Sequence, residues 1–177
     1  MITIPRILFA VGASTMILFT LPAIADEDDA SSGVMPATDK QYADECGACH
    51  FAYPPGLLPA RSWEKLLSNL SDHFGENAEL GADVAQSLND YLTKHAADKV
   101  RNRLSQRIAR SVAHTTPLRI TETAFFKREH RDVPQRMVNE NPHVQSFSKC
   151  QVCHTRAAKG SFREGEINIP GHGRWDQ

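Results

Sequence analysis

The sequence has few of the features that most often identify a protein. Only four of its 177 residues are cysteine and only four are methionine, and no segment alternates between apolar and polar residues well enough to predict a sheet. The formal net charge is −1 at pH 7, which argues against nucleic acid as a partner, because such proteins carry a strongly basic face. These absences leave a helical chain whose chemistry must come from a small number of residues.

A long hydrophobic run occurs near the N-terminus, where Arg6 precedes an apolar stretch over 7–21 that ends at Ala23-Ile24-Ala25. A basic residue, a short apolar run and a small-x-small site predict a secretory signal peptide over 1–25, cleaved after Ala25. The run is short for a spanning helix, so a retained anchor is the less favoured alternative. We therefore expect an exported, periplasmic protein, with a flexible acidic tail over 26–37.

All four cysteines belong to two copies of one motif, Cys-x-x-Cys-His, at 46–50 and 150–154. On a helix, positions i, i+3 and i+4 share one face, so two sulfurs and an imidazole can meet one ligand. This is the attachment site of a c-type haem, which forms thioethers with the cysteines and binds the histidine through its iron. The motifs predict two haem c groups, with cysteine attachment at Cys46, Cys49, Cys150 and Cys153 and proximal iron ligands at His50 and His154.

Zinc and disulfides are the alternative explanations of such cysteines. Zinc is disfavoured because about a hundred residues separate the pairs and a histidine directly follows each second cysteine. A disulfide between positions i and i+3 would close a loop too small to constrain much of the chain. Covalent haem explains the spacing and disulfides do not.

Helical patterns fill the rest of the chain. Thr38 is the expected N-cap of a first helix that reaches Cys46, and Ser62 that of a second helix ending near His73. A third helix is expected over 82–97 and a fourth over 99–113. The result is an all-α fold.

The fourth predicted helix has a basic outer face. Its members are Lys99, Arg101, Arg103, Arg107 and Arg110. This face is either solvated or a set of partners for haem propionates, because arginine forks match carboxylates.

Residues 38–98 resemble a class I cytochrome c domain, with a motif-bearing helix, a proline-containing loop and a closing helix that carries Tyr91. The resemblance implies a second axial ligand between those helices, usually methionine. Beyond Ala25 the chain has only Met35 and Met137, and neither lies in that interval. His73 does, on the apolar stripe of the second helix, and His95 stays open as its competitor.

The second haem, in a C-terminal domain over 99–177, needs its own distal ligand. His130 follows two phenylalanines and lies far enough before Cys150 for the chain to wrap around the haem. His143 is expected to share the helix of Cys150, which would hold it on the proximal side. His114 and His172 are further alternatives.

Longer stretches resemble the small bacterial dihaem cytochrome c family. They are 46–59, 73–75, the segment around His130, and 150–171, and the similarity covers nearly all of the chain after the signal peptide. The resemblance implies two bis-histidine haems, in agreement with His73 and His130 as distal ligands. It also implies periplasmic electron transfer from a membrane b-type cytochrome to a small monohaem cytochrome c, with membrane contact only through a partner.

Coordination chemistry gives the same expectation. Two axial histidines leave no open iron position, and histidine in place of methionine lowers the reduction potential. We expect an electron-transfer protein rather than an enzyme. A dihaem peroxidase-like enzyme or a haem-based sensor is the alternative, and each needs one open iron position.

Five aromatic residues are candidates for the walls of the haem pockets: Tyr53, Trp63, Phe125, Phe126 and Trp175.

Overall fold

The computed structural model describes residues 33–175, so the predicted signal peptide and the acidic start of the tail lie outside the described residues. Within this range the chain forms seven α-helices. They are α1 Lys40–Cys46, α2 Ala60–Leu67, α3 Ala82–Lys94, α4 Arg103–Ser111, α5 Ala124–Glu129, α6 Gln135–Val138 and α7 Cys150–Cys153. None of the helices between 33 and 175 is long and apolar enough to cross a membrane.

Short elements connect these helices. Five 3₁₀ segments lie at Pro55–Leu57, Leu70–Asp72, Ile120–Glu122, Ala157–Lys159 and Glu164–Glu166. One antiparallel hairpin pairs β1 Asn168–Ile169 with β2 Gly173–Arg174, in the register Asn168 to Arg174. The predicted all-α class is confirmed, and the hairpin is the one small sheet that the described residues add to it.

The helix starts differ from those predicted. Asp39, not Thr38, caps α1, because its side chain accepts a hydrogen bond from the Tyr42 amide at 2.8 Å. The Thr38 amide donates instead to the Tyr91 hydroxyl at 3.1 Å. Ser62 does not cap α2: it is buried inside the helix, which begins at Ala60.

Three predicted helix extents are also wrong. Helix α2 ends at Leu67, with Ser68 as its C-cap, because Asn69 leaves the helical conformation at φ −141° and ψ 51°, so His73 lies beyond the helix and not on its stripe. Asparagine side chains such as that of Asn69 can hydrogen-bond to nearby backbone groups and so compete with the hydrogen bonds of a helix. Helix α4 begins at Arg103 rather than at 99. Helix α7 begins at Cys150, so His143 does not share its helix.

The first buried cluster lies between α1, α2 and α3, around Tyr42, Leu58, Trp63, Leu88 and Leu92. Its polar atoms are bonded. The Tyr42 hydroxyl donates to the Tyr53 carbonyl at 2.8 Å, and the Trp63 indole donates to the Pro55 carbonyl at 2.9 Å. The closing helix α3 packs on α1 through the rings of Tyr91 and Tyr42, whose centres are 5.7 Å apart, as the class I resemblance implies.

The second buried cluster joins parts of the chain that the sequence separates. Its members are Val34, Leu57, Ala97, Leu104 and Ile108. The Val34 amide donates to the Gly160 carbonyl at 2.8 Å, and Gly33 bridges to Ser161. Val34, which falls within the predicted flexible tail, is therefore buried in this core. The boundary between 98 and 99 stays a prediction, since this core spans it.

Candidate functional site

The two Cys-x-x-Cys-His motifs line two neighbouring cavities. The larger, of about 1060 Å³, contains the first motif, with Cys46, Cys49 and His50, and two further histidines, His73 and His130. The smaller, of about 320 Å³, contains the second motif and one further histidine: Cys150, Cys153, His154 and His130. The other candidate ligands, His95, His114, His143 and His172, line neither cavity.

In each cavity the motif histidine lies opposite one other imidazole ring, and the separation of the rings is similar in the two pairs. The ring centres of His50 and His73 are 6.1 Å apart, and those of His130 and His154 are 6.0 Å apart. An imidazole nitrogen binds a transition metal at about 2.0 Å, and its ring centre lies about 1 Å further away, so two rings on one ion have centres about 6 Å apart. Both pairs thus fit one iron between them.

The two ring pairs differ in orientation. The His50 and His73 planes meet at 17°, whereas the His130 and His154 planes meet at 71°. The first pair is nearly parallel and the second is closer to perpendicular. The two cavities therefore offer a metal ion electronically different surroundings, although the ligand types are the same.

One histidine in each cavity is oriented by a backbone carbonyl. Nδ1 of His50 lies 2.8 Å from the Phe51 oxygen, and Nδ1 of His130 lies 3.0 Å from the Phe126 oxygen. A bond of this kind at one ring nitrogen leaves the other for a metal. Among the described residues, Nδ1 of His73 and of His154 is buried without a hydrogen-bond partner. Nδ1 of His95, which lines neither cavity, is also buried without a partner, so this feature alone does not mark a metal ligand.

Burial favours the neutral form of His73, His130 and His154, which is the form that binds metals. Burial and, to a lesser extent, His130 lower the pKa of His154 to about 4. Burial also lowers the pKa of His130, against the opposing effects of the Phe126 carbonyl and Glu129. The pKa of His73 is lowered by burial, then by His50 and Arg119.

The cysteines suit covalent attachment better than zinc. All four are outside disulfides, and burial raises the pKa of the Cys46 and Cys150 thiols to about 11. In the part of the chain from 33 to 175, no three acidic, histidine or cysteine side chains are grouped so that they could hold a metal ion.

A strained turn presents His73. The His73 amide donates to the Glu76 carbonyl at 2.8 Å, and Phe74 and Gly75 between them have φ of 60° and 97°. Positive φ at both central residues is the type I′ pattern, and for a residue such as Phe74 it costs about 1 to 2 kcal/mol. The turn places the Phe74 ring 4.8 Å from the His73 ring.

Aromatic residues form a wall shared by both cavities. The Phe126 ring stacks on His130 at 3.9 Å and 14°, and Phe147 meets both rings edge-on. Phe126, Phe147, His130 and Cys150 line both cavities. The Tyr53 hydroxyl donates to the Ser148 carbonyl at 2.6 Å, which ties the loop after the first motif to the approach to the second.

The five predicted wall residues all line a cavity: Tyr53, Trp63, Phe125, Phe126 and Trp175. Three further residues line the cavities and were not predicted: Phe147, Phe162 and Arg119. Phe147 lies three residues before Cys150, a spacing that could have identified it. Of the predicted basic face, only Arg107 lines a cavity.

Comparisons with known proteins agree with this geometry. A family model described as dihaem cytochrome c matches residues 42–162. A diheme cytochrome c from Shewanella baltica OS155 is 45% identical, with 77% of this chain and 97% of that chain covered and a TM-score of 0.65. A diheme cytochrome c from Rhodobacter sphaeroides is 42% identical, with 73% and 100% covered and a TM-score of 0.65. No curated protein matches the sequence.

Proposed function

Because this chain belongs to the dihaem cytochrome c family and carries two haem c groups, we propose that it is a periplasmic electron carrier with bis-histidine haems. His50 and His73 are the axial ligands in the larger cavity, and His154 and His130 are those in the smaller one. The observation that carries the proposal is the separation of about 6 Å between the ring centres of each pair, which suits one iron between two imidazoles.

Haem iron, when bound, supplies one-electron exchange between its ferrous and ferric states. The protein's task is then to hold the ligands still. His50 and His130 are each held by a backbone carbonyl, and His73 is held by its type I′ turn. When the ligands on both sides of the iron are held in place, their positions need to change little as an electron arrives or leaves.

The choice of an electron carrier over an enzyme or sensor rests on the same histidines. A peroxidase-like site needs one side of a haem open to a small ligand. Here both cavities have an imidazole on each side, and aromatic rings such as Phe74, Phe126 and Phe162 pack against these imidazoles. Imidazole in place of a methionine thioether also favours low reduction potentials.

Optical spectroscopy of the purified holoprotein tests the proposal. A pyridine haemochrome assay should find two covalent haems per chain. Spectra should be low-spin in both oxidation states, with no shift under carbon monoxide, because neither iron has a free position. A high-spin haem that binds carbon monoxide in the native protein would contradict the bis-histidine assignment and favour catalysis or sensing.

Single substitutions test each distal ligand separately. His73→Ala and His130→Ala should each convert one of the two haems to a high-spin form that binds carbon monoxide, so about half of the haem responds. His95→Ala is the matched control, because His95 lines neither cavity, and it should leave both haems low-spin. A response to H95A, with none to H73A, would show that the first assignment is wrong.

Export and partners complete the proposal. The signal-peptide pattern supports cleavage after Ala25 and a periplasmic location. The family resemblance supports a membrane b-type cytochrome as donor and a small monohaem cytochrome c as acceptor. Mass spectrometry of the periplasmic fraction should find a chain that begins at Asp26 and carries two haem masses. A membrane-bound chain that keeps residues 1–25 would contradict this part.

A further inference from the structure

Arg119 lies at the mouth of the larger cavity, although it comes from the C-terminal half of the chain. It lines this cavity together with the first motif and His73. Its guanidinium carbon is 3.8 Å from the centre of the Phe74 ring, and that ring is 4.8 Å from His73. The strained turn at Phe74 therefore supports a cation beside the distal histidine.

The charge of Arg119 acts on both sides of the cavity. On the distal side it contributes to the lowered pKa of His73, after burial and His50. On the proximal side it opposes the burial that raises the pKa of Tyr53 to about 12. The Tyr53 ring lies 5.3 Å from that of His50. Arg119, His50, His73 and Tyr53 all line this one cavity, and the Phe74 ring under the guanidinium group lies beside His73, so this position of the charge, rather than any titration, places Arg119 beside a group held between the two histidines.

The donors of Arg119 are little used by the protein. Its nearest carboxylate is Glu122, with Nε and Oε1 3.8 Å apart and both side chains about half exposed. In the region 33–175, the guanidinium group donates no hydrogen bond to a protein atom. Arg131, the other arginine on this cavity, is bonded to Asp132 at 3.1 Å, and the cavity's two carboxylates are Glu45 and Glu76.

We propose that Arg119 binds a propionate carboxylate of the haem in the larger cavity and raises that haem's reduction potential. The inference rests on the proposed assignment of His50 and His73 as ligands of this haem. An arginine fork matches a carboxylate, and a nearby positive charge favours the reduced state, which carries one positive charge less. The basic face of α4, which the sequence singled out for this role, is mostly outside the cavities.

An EPR-monitored redox titration of the holoprotein tests the proposal. The two haems can be followed separately because their ligand planes meet at 17° and 71°. At a given applied potential, Arg119→Gln should lower the ratio of reduced to oxidised first haem by roughly tenfold. This corresponds to a decrease of about 59 mV in the reduction potential of that haem for one electron. The second haem should change much less. Arg119→Lys keeps the charge and should restore most of the potential.

Arg103→Gln is the matched control, because Arg103 is exposed and lines neither cavity, and it should shift neither haem. The proposal would be overturned if R119Q and R103Q shifted the potential of the first haem equally. It would also be overturned if R119K lowered that potential as much as R119Q does. Glu122→Gln gives a second variant if R119Q fails to assemble: it should raise the first potential, and an unchanged potential would overturn the proposal.

The pH dependence separates carboxylate binding from a purely structural role. Arg119 should hold the propionate pKa low, so in R119Q the pH-dependent region of the first potential should move to higher pH. No movement would contradict propionate binding. Carbon monoxide binding by the wild-type protein would instead contradict the bis-histidine function, so the two failures are distinguishable.

Discussion

At the scale of single residues, the two haem sites differ in ways that the shared motif does not show. The carbonyl-bonded histidine is the motif's own His50 in the larger cavity, but it is the distant His130 in the smaller one. Such a bond orients the ring and raises the basicity of the ligand. The same five-residue motif therefore enters two different ligand environments.

The different ring angles predict two distinguishable EPR signals. Parallel imidazole planes separate the energies of the two iron orbitals that interact with the rings, whereas perpendicular planes make them nearly equal. The oxidised protein should thus show one ordinary rhombic low-spin signal from the pair at 17° and one strongly anisotropic signal from the pair at 71°. H73A should remove the first and H130A the second. Two identical rhombic signals would contradict the geometry.

At the scale of elements, helix ends depend on partners far along the chain. Helix α2 has Pro59 at its N-cap, which provides no side-chain cap. The Ala60 amide donates instead to Oδ1 of Asp98, at 2.8 Å. A residue in another part of the chain thus supplies the acceptor that an N-cap side chain usually supplies.

Asp98→Ala should lower the free energy of unfolding by about 1 kcal/mol, the usual effect of losing such a cap. Asp98→Asn keeps a carbonyl oxygen at this position and should lose less. Denaturant unfolding of the holoproteins measures both. If the two variants were equally destabilised, the hydrogen bond would not be the cause.

The segment after the second motif contains a carboxylate that makes stability depend on pH. The Ser161 hydroxyl, followed by the charges of Arg156 and Arg163, lowers the pKa of Glu166 below 4.5. The Ser161 hydroxyl lies 2.6 Å from Glu166, and Arg156 lies 3.0 Å away. A lowered carboxyl pKa contributes stability above the unfolded-state pKa, and this contribution disappears as pH falls through the folded-state value.

Glu166→Gln should therefore be less stable than the wild type near pH 7, and the difference should shrink as the pH falls below 4.5. Thermal unfolding of both proteins across this range is the measurement. Since Glu166 is partly exposed and lies in an ion pair with a half-exposed arginine, the effect should be small and weakened by salt. A difference that grows at low pH would mean that the sign is wrong.

At the scale of the whole molecule, the two haem-binding segments share one core. Gly56 lies against Ser105 so closely that a Cβ at position 56 would be 2.5 Å from its hydroxyl oxygen. Arg61 donates a hydrogen bond to the Thr115 carbonyl at 2.9 Å, and the Ala97 amide donates to the Leu58 carbonyl at 2.8 Å. Because these contacts join the two haem-binding segments, we expect the segments to unfold together.

Gly56→Ala should lower the free energy of unfolding by about 1 to 3 kcal/mol through overpacking. The loss should be smaller in a Ser105→Ala background, because the Ser105 hydroxyl is the first atom met and has no hydrogen-bond partner of its own among the described residues. Gly81→Ala is the control, since its Cβ would meet open space. Equal losses in both backgrounds would exclude this contact as the cause.

The sequence alone determined the helical class, the family and the presence of two haem c groups, and it predicted where the two haems attach. Each motif contains its full covalent chemistry within five residues, at 46–50 and 150–154, so no folding is needed to identify it. The scarcity of methionine likewise pointed to histidine as the second ligand. Such inferences can be made without a structure because they depend on residue type and on local spacing.

Only the tertiary structure decided which histidine faces which motif and where the helices end. His73 reaches its cavity from a turn and not from a helix stripe, Asp98 caps a helix from far along the chain, and Val34 joins a core that its acidic neighbourhood did not suggest. Arg119 reached the larger cavity in the same way. These relations depend on contacts between distant segments, and local sequence patterns do not encode such contacts.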